Sequence, residues 1–144
     1  MKTGKIIAVV VLSLLSSFAV AGYVQPQSVT VTLNGDGSGS AIGDMVTARF
    51  SDNDVEVIGC GTRAYDDGAG GIYRWGFCQA TDALEQQVIC NTENPDLLDI
   101  MASTSDYSFI TFSWDAGGIC NHIGFSTQSF YIPEHAGTPG RGRR

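Results

Sequence analysis

Four side chains beside one glycine-rich turn have the residue types of a ligand-binding surface. If the chain folds back in a hairpin centred on Ala69, Arg63 falls opposite Trp75. Tyr65 then falls opposite Tyr73, on the same face. Exposed aromatic rings bind sugar rings or a protein partner, and a guanidinium can stack on an indole. If the rings are exposed, the spacing predicts a ligand-binding surface formed by these four residues.

The same rings have an alternative place in the core. Phe77 continues the aromatic face, and Gly59 and Gly61 lie on that face with no side chains of their own. Glycine leaves room for large rings to pack inward, so the pattern favours a buried face. We therefore expect half of a sandwich core here, with ligand binding as the alternative.

The loop N-G-D-G-S-G has the spacing of the first half of an EF-hand calcium loop. Asn34, Asp36 and Ser38 occupy positions one, three and five, which places alternate side-chain oxygens inside a tight turn. Position twelve, where a bidentate glutamate is required, is Met45. We expect a simple glycine-rich hairpin loop, and the alternative is a weak calcium site completed by Asp44. No other cofactor is expected.

Residues suited to catalysis are few. Only His122 and His135 are available as a general base, and neither accompanies a G-x-S-x-G or similar nucleophile motif. Asp66 and Asp67 are carboxylates that a hydrolase can use, but aspartate also favours turns because its side chain bonds to the turn backbone. The residue types favour a non-catalytic protein over a small hydrolase that uses loop carboxylates.

The four cysteines predict two disulfides. The sequence contains no C-x-x-C pair, which argues against a zinc site or a thioredoxin-like redox site. The hairpin centred on Ala69 places Cys60 opposite Cys78, and Cys90 is left to pair with Cys120. Disulfides persist in oxidising compartments, so this pairing is consistent with export.

Residues 1–21 have the composition of a cleaved secretory signal. Two lysines precede an apolar run from Ile6 to Leu15, and small residues end in Ala19-Val20-Ala21. The run is too short to span a bilayer, so we expect no membrane insertion and a secreted or periplasmic location. Residues 22–133 are then the exported domain, and residues 134–144, with no apolar residue larger than alanine, are predicted to be a disordered tail.

Charge and composition narrow the class of protein and its partners. Without the signal lysines Lys2 and Lys5, six arginines face 15 acidic residues, for a net charge of −9. A strongly acidic protein repels phosphate backbones, so no nucleic-acid partner is expected. A composition of 43% hydrophobic and 16% charged residues is typical of a globular domain.

The elements that must position these side chains are mostly strands. Period-two alternation predicts strands at residues 28–33, 45–51, 55–58, 72–79, 86–91, 107–114 and 119–132. The glycine-rich stretch between the first two strands is predicted to be a loop. Asn94, Pro95 and Asp96 form the start signal of one short helix.

These elements predict a mainly β fold. We expect a single antiparallel β-sandwich or small barrel of about seven strands, with one short helix in a connection and two disulfides. An α+β fold with the helix on a single sheet is the alternative. In the last hairpin, alternation predicts Ile119 on the core face with Trp114, and Cys120 on the polar face.

Together these patterns favour an exported, non-catalytic binding or structural module with a protein or carbohydrate partner that the sequence does not identify. The disulfide-linked β architecture and the missing catalytic motif support this hypothesis. The alternatives are a small secreted hydrolase and a weak calcium- or carbohydrate-binding domain. A cleft lined by two carboxylates with raised pKa values favours the hydrolase, and a flat surface favours the module.

Overall fold

The computed structural model describes residues 23–133, which form two antiparallel sheets. The four-stranded sheet has the order β1 (Thr30–Leu33), β2 (Gly39–Asp44), β6 (Phe109–Trp114) and β7 (Cys120–Ser126). The three-stranded sheet has the order β3 (Val57–Asp66), β4 (Ile72–Thr81) and β5 (Gln87–Thr92). The predicted mainly β fold of about seven strands is confirmed. The predicted signal (1–21) and tail (134–144) lie outside the described residues.

The two sheets share one buried core. Ile110, Phe112 and Trp114 alternate inward along β6, and they belong to the same buried cluster as Ile58 of β3 and Ala80 of β4. Burial of these apolar side chains is the main force that holds the sheets together. A disulfide between β5 and β7 adds a covalent link at one edge.

The predicted hairpin register and both disulfides are confirmed. In β3 and β4, Arg63 pairs with Trp75 and Tyr65 with Tyr73. Cys60 lies directly opposite Cys78 in the same ladder, and the two form a disulfide. Cys90 and Cys120 form the second one. Two disulfides indicate an oxidising environment, extracellular or periplasmic.

Helix α2 (Pro95–Ser103) is the helix that the sequence predicts, and a shorter helix, α1 (Met45–Arg49), precedes it in the chain. Asn94 caps α2 by accepting hydrogen bonds from the N–H groups of Asp96 and Leu97. Leu98 and Met101 of α2 are buried against the three-stranded sheet. A 3₁₀ turn, Ser129–Tyr131, follows β7.

The prediction for residues 45–51 is wrong. The segment forms α1 instead of a strand, because Asp44 caps its first turn by accepting a 2.7 Å hydrogen bond from the Thr47 N–H. The strand next to β1 lies earlier, in the glycine-rich stretch predicted to be a loop. The first residue of that strand, Gly39, has to be glycine, because a side chain there would overlap the Thr32 carbonyl oxygen and the Trp114 ring.

The prediction for the faces of the last hairpin is also wrong at one end. Ser113 pairs with His122 but Trp114 pairs with Cys120, so Asn121 is an extra residue in β7. This β-bulge reverses the alternation on its far side. Cys120 is therefore buried and Ile119 is 51% exposed.

Between residues 23 and 133, no helix combines the length and the apolar character that crossing a bilayer requires.

Candidate ligand-binding site

Strand β4 places large rings on one face and small side chains on the other. The buried positions of β4 are Gly76, Cys78 and Ala80. The opposite face carries Tyr73, Trp75 and Phe77, of which Tyr73 is 50% exposed. Their neighbours on β3 are Arg63 and Tyr65, and Tyr65 is 55% exposed. These five residues are called the aromatic face below.

The expectation that these rings form half of the core is wrong. Helix α2 occupies the inner side of the sheet, where a Cβ on Gly76 would overlap the Met101 sulfur and lie 2.8 Å from Leu98 Cδ2. No room remains there for large rings, so they lie on the outer side. Of the two glycines that favoured a buried face, Gly61 makes room for the ring of Phe77, and Gly59 has open space beside it.

Arg63 contacts a different ring from the one expected. Its guanidinium carbon lies 5.2 Å from the centroid of Phe77, and its Nη1 donates a 2.9 Å hydrogen bond to the Thr62 carbonyl. The Phe77 ring is tilted against Trp75, with the two centroids 5.7 Å apart. One edge of the Trp75 indole is thus supported by its neighbours while the ring stays partly exposed.

Glu93 is fixed beside the aromatic face by a hydrogen bond. The Tyr73 hydroxyl donates to Glu93 Oε1 at 2.6 Å. This bond and the negative charge of the carboxylate raise the pKa of Tyr73 above its ordinary value. Gly76 pairs with Thr92 in the antiparallel β4–β5 ladder. The next position along the chain, Glu93, therefore lies opposite Trp75.

A cavity of about 400 Å³ lies beside these rings. Its lining consists of Tyr73, Trp75, Asn91, Thr92, Glu93 and Ile119. Two of the four predicted ligand-binding residues, Tyr73 and Trp75, are therefore brought together here. Arg63 and Tyr65 share the face but do not line the cavity.

A second cavity, of about 520 Å³, lies next to the first. The two share Thr92, Glu93 and Ile119, and the second extends to Asn94, Asp96, Leu97, Cys120 and Asn121. Together they are called the seam groove, because they follow the line where β5 of one sheet meets β7 of the other. The Asn91 N–H donates a 3.1 Å bond to the Gly118 carbonyl across this line, and the Cys90–Cys120 disulfide lies at the same place.

The seam groove is acidic. Glu93 and Asp96 contribute carboxylates, and none of the lining residues is basic. Arg74, on the opposite face of β4, makes a 3.4 Å ion pair with Asp99 on the surface of α2. The groove therefore offers hydrogen-bond acceptors and amide groups to a ligand, and it repels negative charge.

The residues of the predicted calcium loop are only partly brought together. Ser38 donates from its N–H and its hydroxyl to Asp36 Oδ1, at 3.0 and 2.7 Å, and these bonds lower the pKa of Asp36. Asn34 Nδ2 donates to the Ser38 hydroxyl at 2.9 Å. Asp44 is buried at the other end of β2, about 17 Å along the strand, where it caps α1. Calcium binding by this loop stays an untested alternative to the simple hairpin loop.

The other carboxylates singled out by the sequence serve turns. Asp66 Oδ1 accepts a 2.8 Å bond from the Gly68 N–H. Asp67 Oδ1 accepts bonds from the N–H groups of Ala69 at 2.7 Å and Gly71 at 2.9 Å, which lower the pKa of Asp67. Neither lines the seam groove. This is the turn chemistry that aspartate favours.

A separate cavity of about 560 Å³ lies between α1 and β3. Arg49, Phe50, Val57 and Tyr107 are among its lining residues, and Phe50 is strongly exposed. This cavity is lined by none of the residues of the seam groove. It provides exposed aromatic residues that are suitable as controls for the aromatic face.

Sequence reasoning missed Asn91, Glu93, Ile119 and Asn121. A usable signal existed for the first two: a β4–β5 hairpin centred on Leu84 puts Cys90 opposite Cys78 and Asn91 opposite Phe77. Ile119 and Asn121 had no such signal, because their orientation depends on the β-bulge. Comparison with known proteins found no family model, curated protein or solved structure that matches this chain.

Proposed function

We propose that this protein is an exported, non-catalytic binding module that binds carbohydrate on the aromatic face and in the seam groove. One observation carries the proposal. The rings of Tyr73 and Trp75 border a cavity of about 400 Å³ together with the polar side chains of Asn91 and Glu93. Binding sites for small ligands combine apolar walls with a few convergent polar groups in this way.

The chemistry of these side chains suits a sugar ring. A pyranose has a face of polarised C–H groups, which an aromatic ring attracts through its negative π-face. Its rim of hydroxyl groups both donates and accepts hydrogen bonds. Trp75 offers the ring, Glu93 accepts from hydroxyl groups, and Asn91 both donates and accepts.

The site is largely preorganised. Tyr73 holds Glu93 in place, Phe77 packs against Trp75, and the Cys90–Cys120 disulfide fixes the line between the sheets. Groups that are already ordered lose less conformational entropy when a ligand binds. Preorganisation therefore favours recognition of a rigid ligand such as a sugar ring.

The carboxylates support binding rather than hydrolysis. A glycosidase of the common type places two carboxyl groups on either side of the scissile bond. Asp66 and Asp67 are engaged by their own turns, and Glu93 accepts the hydroxyl of Tyr73. The two carboxylates of the seam groove, Glu93 and Asp96, come from the same short segment, and the lining residues 119–121 from the other sheet include no carboxylate. The arrangement matches a binding surface that orients hydroxyl groups.

The proposal is tested on a printed array of neutral, amino and acidic glycans with the oxidised protein. We expect binding that Trp75→Ala weakens about 30-fold, the effect of removing a central aromatic anchor. Tyr73→Ala removes both a ring and the group that holds Glu93, so it weakens binding as well. Phe50→Ala removes a more exposed ring outside the groove and should leave binding unchanged.

Two results would overturn the proposal. The first is an array on which the protein binds no glycan, or binds glycans equally well after Trp75→Ala. The second is release of new reducing ends from a bound glycan, which would make the protein a hydrolase. Binding of a protein ligand through Trp75, without binding of any glycan, would also overturn the proposal.

A further inference from the structure

We infer that the seam groove binds an extended, uncharged glycan chain, with one sugar ring on Trp75 and the following rings past Ile119 toward Asn121. The inference rests on the proposed carbohydrate-binding function and adds the length and the charge of the ligand. It depends on the adjacency of the two cavities, on the hydrogen-bonding groups along them, and on the sign of their charge.

The groove is longer than one sugar ring requires. Its two parts measure about 400 and about 520 Å³ and share the lining residues Thr92, Glu93 and Ile119. The two parts are therefore adjacent along the seam, and a ligand that occupies both passes over the residues that they share. Single binding pockets span roughly 300 to 1,000 Å³, so each part alone has the size of a pocket.

The 400 Å³ part of the groove contains the Trp75 ring, and the 520 Å³ part contains the hydrogen-bond donors of Asn94 and Asn121. The Asn121 amide oxygen accepts a 2.6 Å bond from the Ser113 hydroxyl. The Asn94 amide oxygen accepts from the N–H groups of Asp96 and Leu97. Both amide oxygens thus accept bonds within the protein, and among residues 23–133 no group accepts from the two NH₂ groups, which are donors for a ligand.

Acceptors complement these donors along the groove. The carboxylates of Glu93 and Asp96 line it beside the amides. Carboxylates only accept, and amide NH₂ groups only donate, so a chain whose groups do both matches the set best. Hydroxyl groups have this property, and a glycan chain repeats them at every ring.

The charge of the groove excludes an anionic chain. Its lining contains two acidic and no basic residues. Arg63 keeps its charge on the aromatic face but does not line the groove, and Arg74 pairs with Asp99 on the surface of α2. A uronic acid or sulfated chain would bring like charges together, which opposes binding.

The test measures affinity by calorimetry with β-1,4-linked oligomers of glucose, N-acetylglucosamine, xylose and mannose, each of one, two and six units. We expect at least one series in which the six-unit oligomer binds about tenfold tighter than the two-unit one. Asn121→Ala should lower the six-unit affinity about fivefold, the effect of one lost hydrogen bond, and leave the one-unit affinity unchanged. Ile119→Ala, at an exposed position, should act in the same direction.

Gln87→Ala is the matched control, since it removes an exposed amide from the same face about 13 Å along β5 from Asn91. It should leave all affinities unchanged. The charge is tested with polygalacturonate and its fully methylated ester, which share one backbone. We expect the ester to bind more tightly than the acid form.

Separate results would contradict the proposed length and the proposed charge of the ligand. Equal affinity for one and six units, or no effect of both Asn121→Ala and Ile119→Ala, overturns the extended groove. Tighter binding of polygalacturonate than of its ester overturns the exclusion of acidic chains. In these cases, glycan binding that is still weakened by Trp75→Ala supports the proposed function. If no glycan binds, the proposed function and the further inference are both overturned.

Discussion

The two faces of β4 differ in a way that hydrophobic alternation alone does not reveal. The inner face carries Gly76, Cys78 and Ala80 beneath a helix, and the outer face carries three aromatic rings. Both faces are apolar, yet the one with the smaller side chains is the core. The size of a side chain on a strand is therefore set by what lies over it. Close approach of α2 requires glycine at residue 76, and solvent allows any size.

The comparison separates stability from binding. Substitutions on the buried side should lower the free energy of unfolding, because packing there is tight. Substitutions on the aromatic face should change the free energy of unfolding little and alter ligand affinity instead.

The largest expected difference is between the two tryptophans. Trp114 is 4% exposed and its indole N–H donates a 3.0 Å bond to the Gly37 carbonyl, so Trp114→Ala should cost about 4 kcal/mol of unfolding free energy. Trp75→Ala should cost about 1 kcal/mol at most, because its ring is partly exposed. Urea unfolding measures both, and equal losses would contradict an outward position of Trp75.

Removal of the disulfide between the sheets should have the next largest effect. Its loop of 30 residues predicts a loss of about 3.6 kcal/mol for Cys90→Ala with Cys120→Ala. Glycan affinity should also fall, because the seam groove loses its covalent link. Cys60→Ala with Cys78→Ala removes a disulfide that closes a loop of 18 residues, which predicts a loss of about 3.2 kcal/mol. Neither of these cysteines lines the groove. Unfolding curves and calorimetry distinguish the pairs, and equal loss of glycan affinity in both would refute the role of the seam.

Two glycines on opposite faces of the sheet give a smaller and sharper contrast. Gly76→Ala places a methyl group against Leu98 and Met101 and should cost about 2 kcal/mol. Gly59→Ala, with nothing within 4 Å of the new Cβ, should change the unfolding free energy by less than about 0.5 kcal/mol. Thermal and urea unfolding check both variants. A greater loss for Gly59→Ala would mean that the faces are reversed.

The smallest expected effect is a pH dependence at the hairpin tip. The Ala69 and Gly71 N–H groups hold the pKa of Asp67 below its ordinary value of 3.8. The unfolded chain therefore binds a proton more readily, so this contribution to stability is present above pH 3.8 and is lost as the pH falls through the folded-state pKa. In a plot of unfolding free energy against pH, Asp67→Asn should make the decrease at acidic pH less steep. An unchanged decrease would show that these bonds do not favour the ionised form.

The parts of the fold that depend on local pattern could be predicted from the sequence. The turn at residues 66–71 and the positions of Cys60 and Cys78 set the β3–β4 register, and Asn94 with Pro95 sets the start of α2. The sequence did not predict that the strand lies before Asp44 and the helix α1 after it, because this arrangement depends on the buried Asp44 side chain that caps the helix. The β-bulge at Asn121 depends on pairing between distant strands.

The candidate site was predictable to a similar degree. Tyr73 and Trp75 follow from the hairpin register, but their exposure depends on where α2 packs. Glu93 requires the β4–β5 register as well. Ile119 joins them only because the two sheets meet at the seam, which is tertiary structure with no local signal.

Acrylamide quenching of tryptophan fluorescence tests most directly whether the aromatic face binds ligand. Trp75 is partly exposed and Trp114 is buried, so quenching reports mainly on Trp75. With the tightest-binding six-unit glycan at saturation, quenching should fall in the native protein and stay constant in Trp75→Phe, which retains only Trp114. A glycan that binds without changing the quenching of Trp75 would contradict a ligand-binding role for the aromatic face.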